Sequence, residues 1–226
     1  MRRRPPLHVT ALAVTLIAGL VVVALVALGS SGTSAPRSLT PTEATTGSGF
    51  DGAVLSPRPL APQFTLTNQY DHRVSLRSLR GQVVVLAFLY STCGSTCFVI
   101  AQQIRGALNE LAEDHAQAPV VAIVSADPTA DSPSSVERFL AATSLTGRVD
   151  YLTGSPAELR PIWRAYRITP ASAGRTAFDK FASLSLLDRE GRERVLYQLE
   201  VLTPESLAHD VRRLEAAGRA ARGLIP

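Results

Sequence analysis

Two continuous apolar runs restrict the fold of this chain more than any other feature. Residues 83–90 read "VVVLAFLY" and residues 119–126 read "PVVAIVSA". Each run has the length of a strand and no alternation of polar and apolar residues, which is typical of a strand covered on both faces. Between them, "FVIAQQIRGALNELAEDHAQ" has apolar residues at every third or fourth position, as an amphipathic helix does. The succession of strand, helix and strand predicts a layered α/β domain.

The flanking segments extend the same architecture in both directions. Before the first run, "FTLTNQYDHRVSLRSLRGQ" predicts a hairpin whose turn is at residues 68–72. After the second run, caps, turns and apolar periodicity predict a helix capped by Ser134 or Ser135, a strand in residues 149–154, a helix capped by Ser155, two strands joined by "DREG", and a helix capped by Thr203. Because the partners in a hairpin are antiparallel, the sheet is predicted to be mixed.

Residues 1–30 have the pattern of a membrane segment. Three arginines, Arg2 to Arg4, precede an uncharged run from Ala11 to Gly29. As a helix this run spans about 28 Å, close to the thickness of the hydrocarbon core of a bilayer. It is longer than the apolar part of most signal peptides, so an uncleaved anchor is predicted, with a cleaved signal peptide as the alternative. Because the arginines hold the N-terminus in the cytoplasm, a single-pass protein of the cell membrane with an extracytoplasmic C-terminal domain is predicted.

The rest of the chain divides where apolar periodicity begins. Residues 31–58 are rich in Ser, Thr, Gly and Pro and are predicted to form a flexible linker, and residues 59–226 are predicted to form the folded domain. The formal charge of +4 comes mostly from the N-terminal part, and residues 59–226 carry a net charge of about +1. This small charge gives no electrostatic reason to expect nucleic acid as a partner.

Cys93 and Cys97, the only two cysteines, lie in "FLYSTCGSTCFVI", where a strand is predicted to end and a helix to begin. If both lie in the first turns of that helix, they share one face and their backbones are about 6 Å apart, within reach of a disulfide. The partial positive charge of a helix N-terminus lowers the pKa of a thiol. A passive disulfide that closes so short a loop adds little stability, whereas strand carboxyl ends in α/β sheets often carry functional sites. We therefore predict a redox pair ahead of a structural disulfide.

Metal binding is a third interpretation of the two cysteines. Two thiolates leave a zinc site short of its usual four ligands, but Cu⁺ accepts two or three soft donors. A third ligand would then have to come from a distant part of the chain. The residues alone leave the redox, structural and metal interpretations open.

Several segments together resemble the Sco/SenC family. The family's loop T-x-C-P-x-x-C-P is similar to "STCGSTCF", although Gly94 and Phe98 stand at the two proline positions, and its S-V-D-P-x-x-D-T-P segment is similar to "SADPTADSP" with Asp127 and Asp131. "YLTGSPAELRPIWRAYRI" and "SLLDREG" also resemble family segments, so that the match covers residues 58 to 217. The resemblance implies a membrane-anchored protein with a thioredoxin-like fold that is linked to copper insertion into cytochrome c oxidase.

The chain departs from the family pattern at one position. The family's third copper ligand is a histidine that follows an aspartate, and here Asp179 is followed by Lys180, the only lysine of the chain. An ammonium group binds no metal unless it loses its proton. Lys180 is predicted to be either a solvated loop side chain or a cation near the thiolates that lowers a cysteine pKa. His72, His115 and His209 are predicted to be solvated surface residues.

The resemblance therefore implies three functions for the Cys93 and Cys97 pair. In the first, the pair cycles between dithiol and disulfide and reduces oxidised client cysteines, such as those in the copper-site subunit of an oxidase, with electrostatic help from Lys180. In the second, the two cysteines bind Cu⁺ as a chaperone without the usual histidine. In the third, the domain is a non-catalytic scaffold whose disulfide is inert.

Overall fold

The computed structural model describes residues 48–223, apart from the side chains of residues 175, 180, 181 and 221–223. A six-stranded sheet lies at the centre, together with a separate two-stranded hairpin. In chain order the strands are β1 (Ala53–Val54), β2 (Thr65–Thr67), β3 (Arg73–Ser75), β4 (Val84–Leu89), β5 (Val120–Ser125), β6 (Asp150–Leu152), β7 (Ser183–Leu187) and β8 (Glu193–Gln198). The α-helices are α1 (Ser95–Glu113), α2 (Pro133–Ala142), α3 (Pro156–Ala165), α4 (Arg175–Phe181) and α5 (Pro204–Gly223).

The strand order in the sheet is β1-β8-β7-β4-β5-β6. β4 is parallel to β5 and β5 is parallel to β6, whereas β7 is antiparallel to both β4 and β8. The two parallel connections contain the helices α1 and α2. The prediction of an α/β domain with a mixed sheet is therefore confirmed. The hairpin predicted before β4 is also present, since β2 and β3 are antiparallel and residues 68–72 join them.

The position of β4 explains why the first apolar run contains no polar residue. All six residues of this strand are buried, and alternate side chains belong to two different clusters. Val85 and Leu89 pack with α1, α2 and α5, whereas Leu86 and Phe88 pack with α3 and the β2–β3 hairpin. Because water reaches neither face, every position of the strand favours an apolar side chain.

The ordered domain begins earlier than the boundary predicted at residue 59. β1 pairs with β8, and the N–H groups of Asp51 and Gly52 donate to the carboxylate of Asp210 at 2.9 and 3.1 Å. Gly52 is needed for this approach, because a Cβ atom there would lie 2.4 Å from Cγ1 of Val195. These partners are far away in the sequence, so the local composition, which is that of a linker, gave no sign of them. Residues 31–47 of the predicted linker lie outside the described residues.

Two of the three helix starts predicted from capping residues are found. Ser155 caps α3 in a reciprocal arrangement with Glu158, and Thr203 accepts a hydrogen bond from the N–H of Ser206 at the start of α5. The prediction of Ser134 or Ser135 as the cap of α2 was wrong. Ser132 caps this helix, because its hydroxyl accepts the N–H of Ser135 and Pro133 occupies the first helical position.

Within residues 48–223, no helix is both long and apolar enough to cross a membrane. The predicted membrane segment, residues 1–30, lies outside the described residues.

Candidate functional site

The cysteines lie in a short connection between the central strand β4 and the helix α1, and we call residues 90–97 the cysteine loop. Cys93 and Cys97 are joined by a disulfide bond, with their Cα atoms 5.7 Å apart. Only Cys97 lies in the first turn of α1, whereas Cys93 precedes the N-cap residue Gly94. The N–H of Cys93 donates to the carbonyl of Tyr90 and closes a turn at the end of the strand.

The two cysteine residues differ in their exposure to solvent. Cys97 is fully buried in the core, whereas Cys93 is half-buried at the surface. The N–H of Cys97 donates to Sγ of Cys93 at 3.2 Å, so that a sulfur atom takes the place of the usual side-chain cap at this helix start. After reduction of the disulfide, this N–H and the partial positive charge of the helix would favour the thiolate of Cys93.

A buried carboxyl group lies beneath the cysteine loop. Oδ1 of Asp131 accepts the N–H of Ser91 at 2.6 Å, and Oδ2 accepts the hydroxyls of Ser125 at 2.6 Å and Tyr151 at 3.0 Å. We call these four residues the Asp131 cluster. Burial raises the pKa of the Asp131 carboxyl, while the hydrogen bonds from Ser125 and Ser91 act in the opposite direction. Burial and the neighbouring carboxylate raise the pKa of Tyr151 well above its ordinary value, so its hydroxyl stays protonated and donates.

Sequence reasoning noticed Asp131 only as part of a family-like segment and gave it no role. Its partners Ser91, Ser125 and Tyr151 were missed altogether. Ser91 lies 40 positions away from Asp131 in the sequence and Tyr151 lies 20 positions away, so no local pattern could connect them. The one available signal was the position of Asp131 just after β5, the strand beside β4, because the carboxyl ends of parallel neighbours meet at one edge of the sheet.

The helix α4, which contains Lys180, packs against Tyr90 at the start of the cysteine loop. The ring of Phe178 in this helix packs edge-on against the buried ring of Tyr90, with centroids 5.1 Å apart. The N–H of Ala171, in the turn before α4, donates to the carbonyl of Ala126 at the end of β5. The prediction that Lys180 lies in a loop was wrong, because it belongs to this helix. The side chain of Lys180 lies outside the described residues.

Three histidines, His72, His115 and His209, lie among the described residues, and the first two are exposed as expected. His72 lies in the β2–β3 turn and His115 just after α1. His209 is also partly solvated, since 43% of its side chain is exposed, and its Nδ1 lies 3.1 Å from a carboxylate oxygen of both Asp51 and Asp210. Among the described side chains, this is the one group of three or more that could hold a metal ion, and it contains neither cysteine.

Comparison with known proteins identifies the family. A family model described as SCO1/SenC matches residues 53–216 of the chain. A curated relative, the SCO1 protein homolog of Bacillus subtilis (strain 168), is 29% identical over 92 residues, which are 40% of this chain and 47% of the relative. The chain spans between 35% and 52% of the length of the curated relatives that it matches.

Solved structures of similar fold agree with this assignment. BsSco, described as a member of the Sco family of cytochrome c oxidase assembly proteins with a disulfide switch, has a TM-score of 0.59, 23% identity, and coverage of 71% of this chain and 95% of its own. Bradyrhizobium japonicum ScoI with copper bound has a TM-score of 0.52, 27% identity, and coverage of 69% and 99%.

A thioredoxin domain of a thiol-disulfide oxidoreductase from Bacteroides vulgatus has the same general fold. It has a TM-score of 0.52 and 16% identity, with coverage of 69% of this chain and 94% of its own. The thioredoxin-like fold implied by the sequence resemblance is therefore confirmed. Together with the family model, which matches most of the chain, these similarities lead to one conclusion: the chain belongs to the SCO1/SenC family.

Proposed function

We propose that this protein is a thiol-disulfide exchange protein that prepares copper sites in membrane-bound oxidases, with Cys93 and Cys97 as its redox pair. The observation that carries the proposal is the unequal burial of the two bonded cysteine residues at the start of α1. A passive disulfide needs no accessible sulfur, whereas exchange requires one sulfur that a client can reach and one that resolves the product.

The exchange begins from the reduced pair. The thiolate of Cys93 attacks one sulfur of a client disulfide, a bond forms between Cys93 and the client, and the other client sulfur leaves as a thiolate that takes up a proton. The buried thiol of Cys97 then loses its proton and attacks Sγ of Cys93 across the first helical turn. The second client sulfur leaves, the disulfide seen here forms, and two electrons have passed to the client. A thiol reductant must then restore the pair before another cycle.

The client that suits this chemistry is a copper-site subunit of an oxidase. Copper ligands that are cysteines must be reduced before they bind the ion. We further propose that residues 1–30 anchor the protein in the cell membrane and that the domain lies on the extracytoplasmic side, where cysteines are prone to oxidation. The family membership supports this pathway, since the similar protein BsSco is described as belonging to oxidase assembly proteins.

A second candidate function is the binding of Cu⁺ as cargo by the reduced cysteines. It is favoured by the structure of Bradyrhizobium japonicum ScoI, which is 27% identical and has copper bound. Cys93 and Cys97 supply two soft sulfur donors that one Cu⁺ ion could bridge. Lys180 stands where the family resemblance implies the third ligand, so we propose that binding is weaker than with a histidine there.

Trapping of a mixed disulfide tests the exchange function. Full-length protein in detergent is mixed with a peptide that contains a disulfide, and products are separated without reductant. Cys97→Ser should accumulate the mixed disulfide through Cys93, whereas Cys93→Ser should accumulate almost none, because Cys97 is buried. Equal trapping by both variants, or a wild-type disulfide that thiols do not reduce, would contradict the proposal and favour an inert scaffold.

Titration with Cu⁺ separates the second candidate from the first. The fully reduced protein is titrated without oxygen against a competing chelator, together with the double variant Cys93→Ser/Cys97→Ser and the variant Lys180→His. If the cargo function is secondary, Lys180→His should bind Cu⁺ about tenfold more tightly than wild type, in the range by which a metal's surroundings change affinity. Tight stoichiometric binding by wild type with no gain in Lys180→His would instead make copper transport the main function.

A further inference from the structure

Asp131 and its own loop contact the start of the cysteine loop through several hydrogen bonds. Its carboxylate accepts the N–H of Ser91, two residues before Cys93, and the hydroxyl of Ser91 contacts the carbonyl of Ala130 and the hydroxyl of Ser135. The loop that contains Asp131 therefore fixes the point at which the chain leaves β4 for the cysteines. Cys93 and Ala130 also pack against the same core cluster.

Among the described residues, Asp131 is held by neutral donors. Ser125 on β5 and Tyr151 on β6 supply hydroxyls, and Ser91 supplies a backbone N–H. Among the described side chains, no arginine or histidine forms an ion pair with Asp131, and Asp127 adds a second negative charge near Tyr151. A negative charge held at the start of the loop that carries a redox pair disfavours the thiolates of the reduced form.

Asp131 also has a route for proton exchange with water. It lines a cavity of about 390 Å³ with Asn68 and Tyr70 of the β2–β3 turn and Thr153 after β6. Of these, Tyr70 is 53% exposed, so the cavity is reached from the surface. Because the carboxyl group is buried, water screens its charge only weakly. The cavity still brings it near enough to solvent to gain and lose a proton.

We infer that Asp131 is a positioning residue of the Cys93–Cys97 pair: it fixes the start of the cysteine loop, and its negative charge keeps the reduction potential of the pair low. The inference rests on the proposed function and adds to it the group that tunes the exchange. A low potential makes the reduced pair a better electron donor, as reduction of a client disulfide requires. The sign follows from the thiolates, because a protein that stabilises its reduced thiolates is the stronger oxidant.

The variant Asp131→Asn isolates the charge. Asparagine retains a carbonyl oxygen for the N–H of Ser91 and removes the negative charge. The full-length protein is equilibrated with reduced and oxidised glutathione, and the fraction of disulfide is measured. The equilibrium should shift about tenfold toward the dithiol, which is about 30 mV for a two-electron couple. Asp131 is protonated at low pH, so the difference between wild type and Asp131→Asn should vanish there and grow as the pH rises through the titration of Asp131.

A matched control perturbs the same loop without touching the charge. Ser135→Ala removes the hydroxyl that contacts Ser91 and should leave the equilibrium with glutathione as in wild type. An Asp131→Asn equilibrium within a factor of two of wild type at neutral pH would overturn the inference, as would an equal shift in Ser135→Ala. If Asp131→Asn does not fold, Tyr151→Phe serves instead, because it removes one hydrogen bond that stabilises the Asp131 carboxylate. The pH at which the equilibrium with glutathione begins to change slope should then be higher than in wild type. An unchanged pH would overturn the inference. Failure of the proposed function would differ, because the wild-type pair would then not exchange with glutathione at all.

Discussion

Buried carboxylates lie at both ends of the central sheet, and the two ends treat them differently. At the cysteine end, Asp131 is held by two hydroxyls and one N–H group. At the opposite end, around the β7–β8 turn, Asp188 pairs with Arg194 and Glu215 on α5 pairs with Arg189. We call this second region the arginine end. Its buried carboxylates pair with guanidinium groups, whereas no described cationic side chain forms an ion pair with Asp131.

The arginine end pairs its buried carboxylates with guanidinium groups. Arg189 donates through Nε to Glu215 at 3.0 Å and also contacts the side-chain oxygen of Gln117 at 2.9 Å. Gly218 leaves room for this side chain, since a Cβ atom there would lie 2.4 Å from Cδ of Arg189. A paired buried charge gives little net stability but makes the fold depend on its partner. At the cysteine end, by contrast, Asp131 has only neutral partners among the described residues. Such a carboxylate is expected where charge has a functional effect.

Loss of the guanidinium at the arginine end should have the largest effect on stability. Arg189→Met leaves Glu215 buried without a cation, and the free energy of unfolding should fall by about 3–5 kcal/mol. Chemical denaturation followed by circular dichroism measures this change. The double variant Arg189→Met/Glu215→Met should recover most of the loss, because an apolar pair of similar volume replaces the ions. A loss confined to a few tenths of a kcal/mol would remove the distinction between the two ends.

Loss of one neutral donor at the cysteine end should cost less. Tyr151→Phe deletes a hydroxyl that donates to Asp131 and should lower the free energy of unfolding by about 1.5–3 kcal/mol, as expected for a hydrogen bond to a charged group. The same denaturation experiment measures it. The variant should also change the equilibrium with glutathione, which Arg189→Met should not. If Arg189→Met altered the redox equilibrium as much as Tyr151→Phe, the separation between a stabilising and a functional end would be lost.

The charge of Asp131 should have a smaller effect, which is seen in the pH dependence of the free energy of unfolding. Because the pKa of Asp131 is higher in the folded than in the unfolded protein, the folded state binds more protons above about pH 4, and stability falls as the pH rises from there through the folded-state pKa. Asp131→Asn should remove this part of the slope in a series of denaturation curves. Glu193→Gln should remove a separate part, since burial also raises the pKa of Glu193. An unchanged slope in Asp131→Asn would contradict the assignment.

An exposed ion pair provides the smallest expected effect. Arg212 on α5 contacts Glu110 of α1 at 2.9 Å and also pairs with Asp114, and these side chains are about a third or more exposed. Arg212→Ala should lower the free energy of unfolding by at most about 1 kcal/mol, and added salt should reduce the difference. A loss comparable to that of Arg189→Met would show that burial does not decide the cost of losing an arginine in this fold.

Local patterns were sufficient to predict most elements of the fold. The runs that became β4 and β5 were found because a strand buried on both faces contains only apolar residues, and α1 was found because its buried side chains recur with helical periodicity. The short helix α4 was missed, because seven residues between Gly174 and Ala182 are too few to show a clear apolar periodicity. β1 was missed because its two residues derive their order from β8, far away in the chain.

The candidate site was predicted only in part. The spacing of Cys93 and Cys97 was enough to predict that they could form a disulfide, since side chains four positions apart near a helix start can lie close together. It did not indicate that Cys97 would be buried and Cys93 half-exposed, which depends on how α1 packs on the sheet. The resemblance directed attention to Lys180, but the side-chain contacts that surround the cysteine loop centre on Asp131.

The sequence by itself therefore determined the succession of strands and helices, the mixed sheet and the bonding distance of the cysteines. These features depend on periodicity and on residues a few positions apart, which a single sequence records directly. Only the tertiary structure decided which cysteine is buried, which donors hold Asp131 and which arginines pair with the other buried carboxylates. Those outcomes depend on contacts between residues far apart in the chain, such as Asp131 with Ser91 and Glu215 with Arg189, and such contacts exist only once the layers have packed.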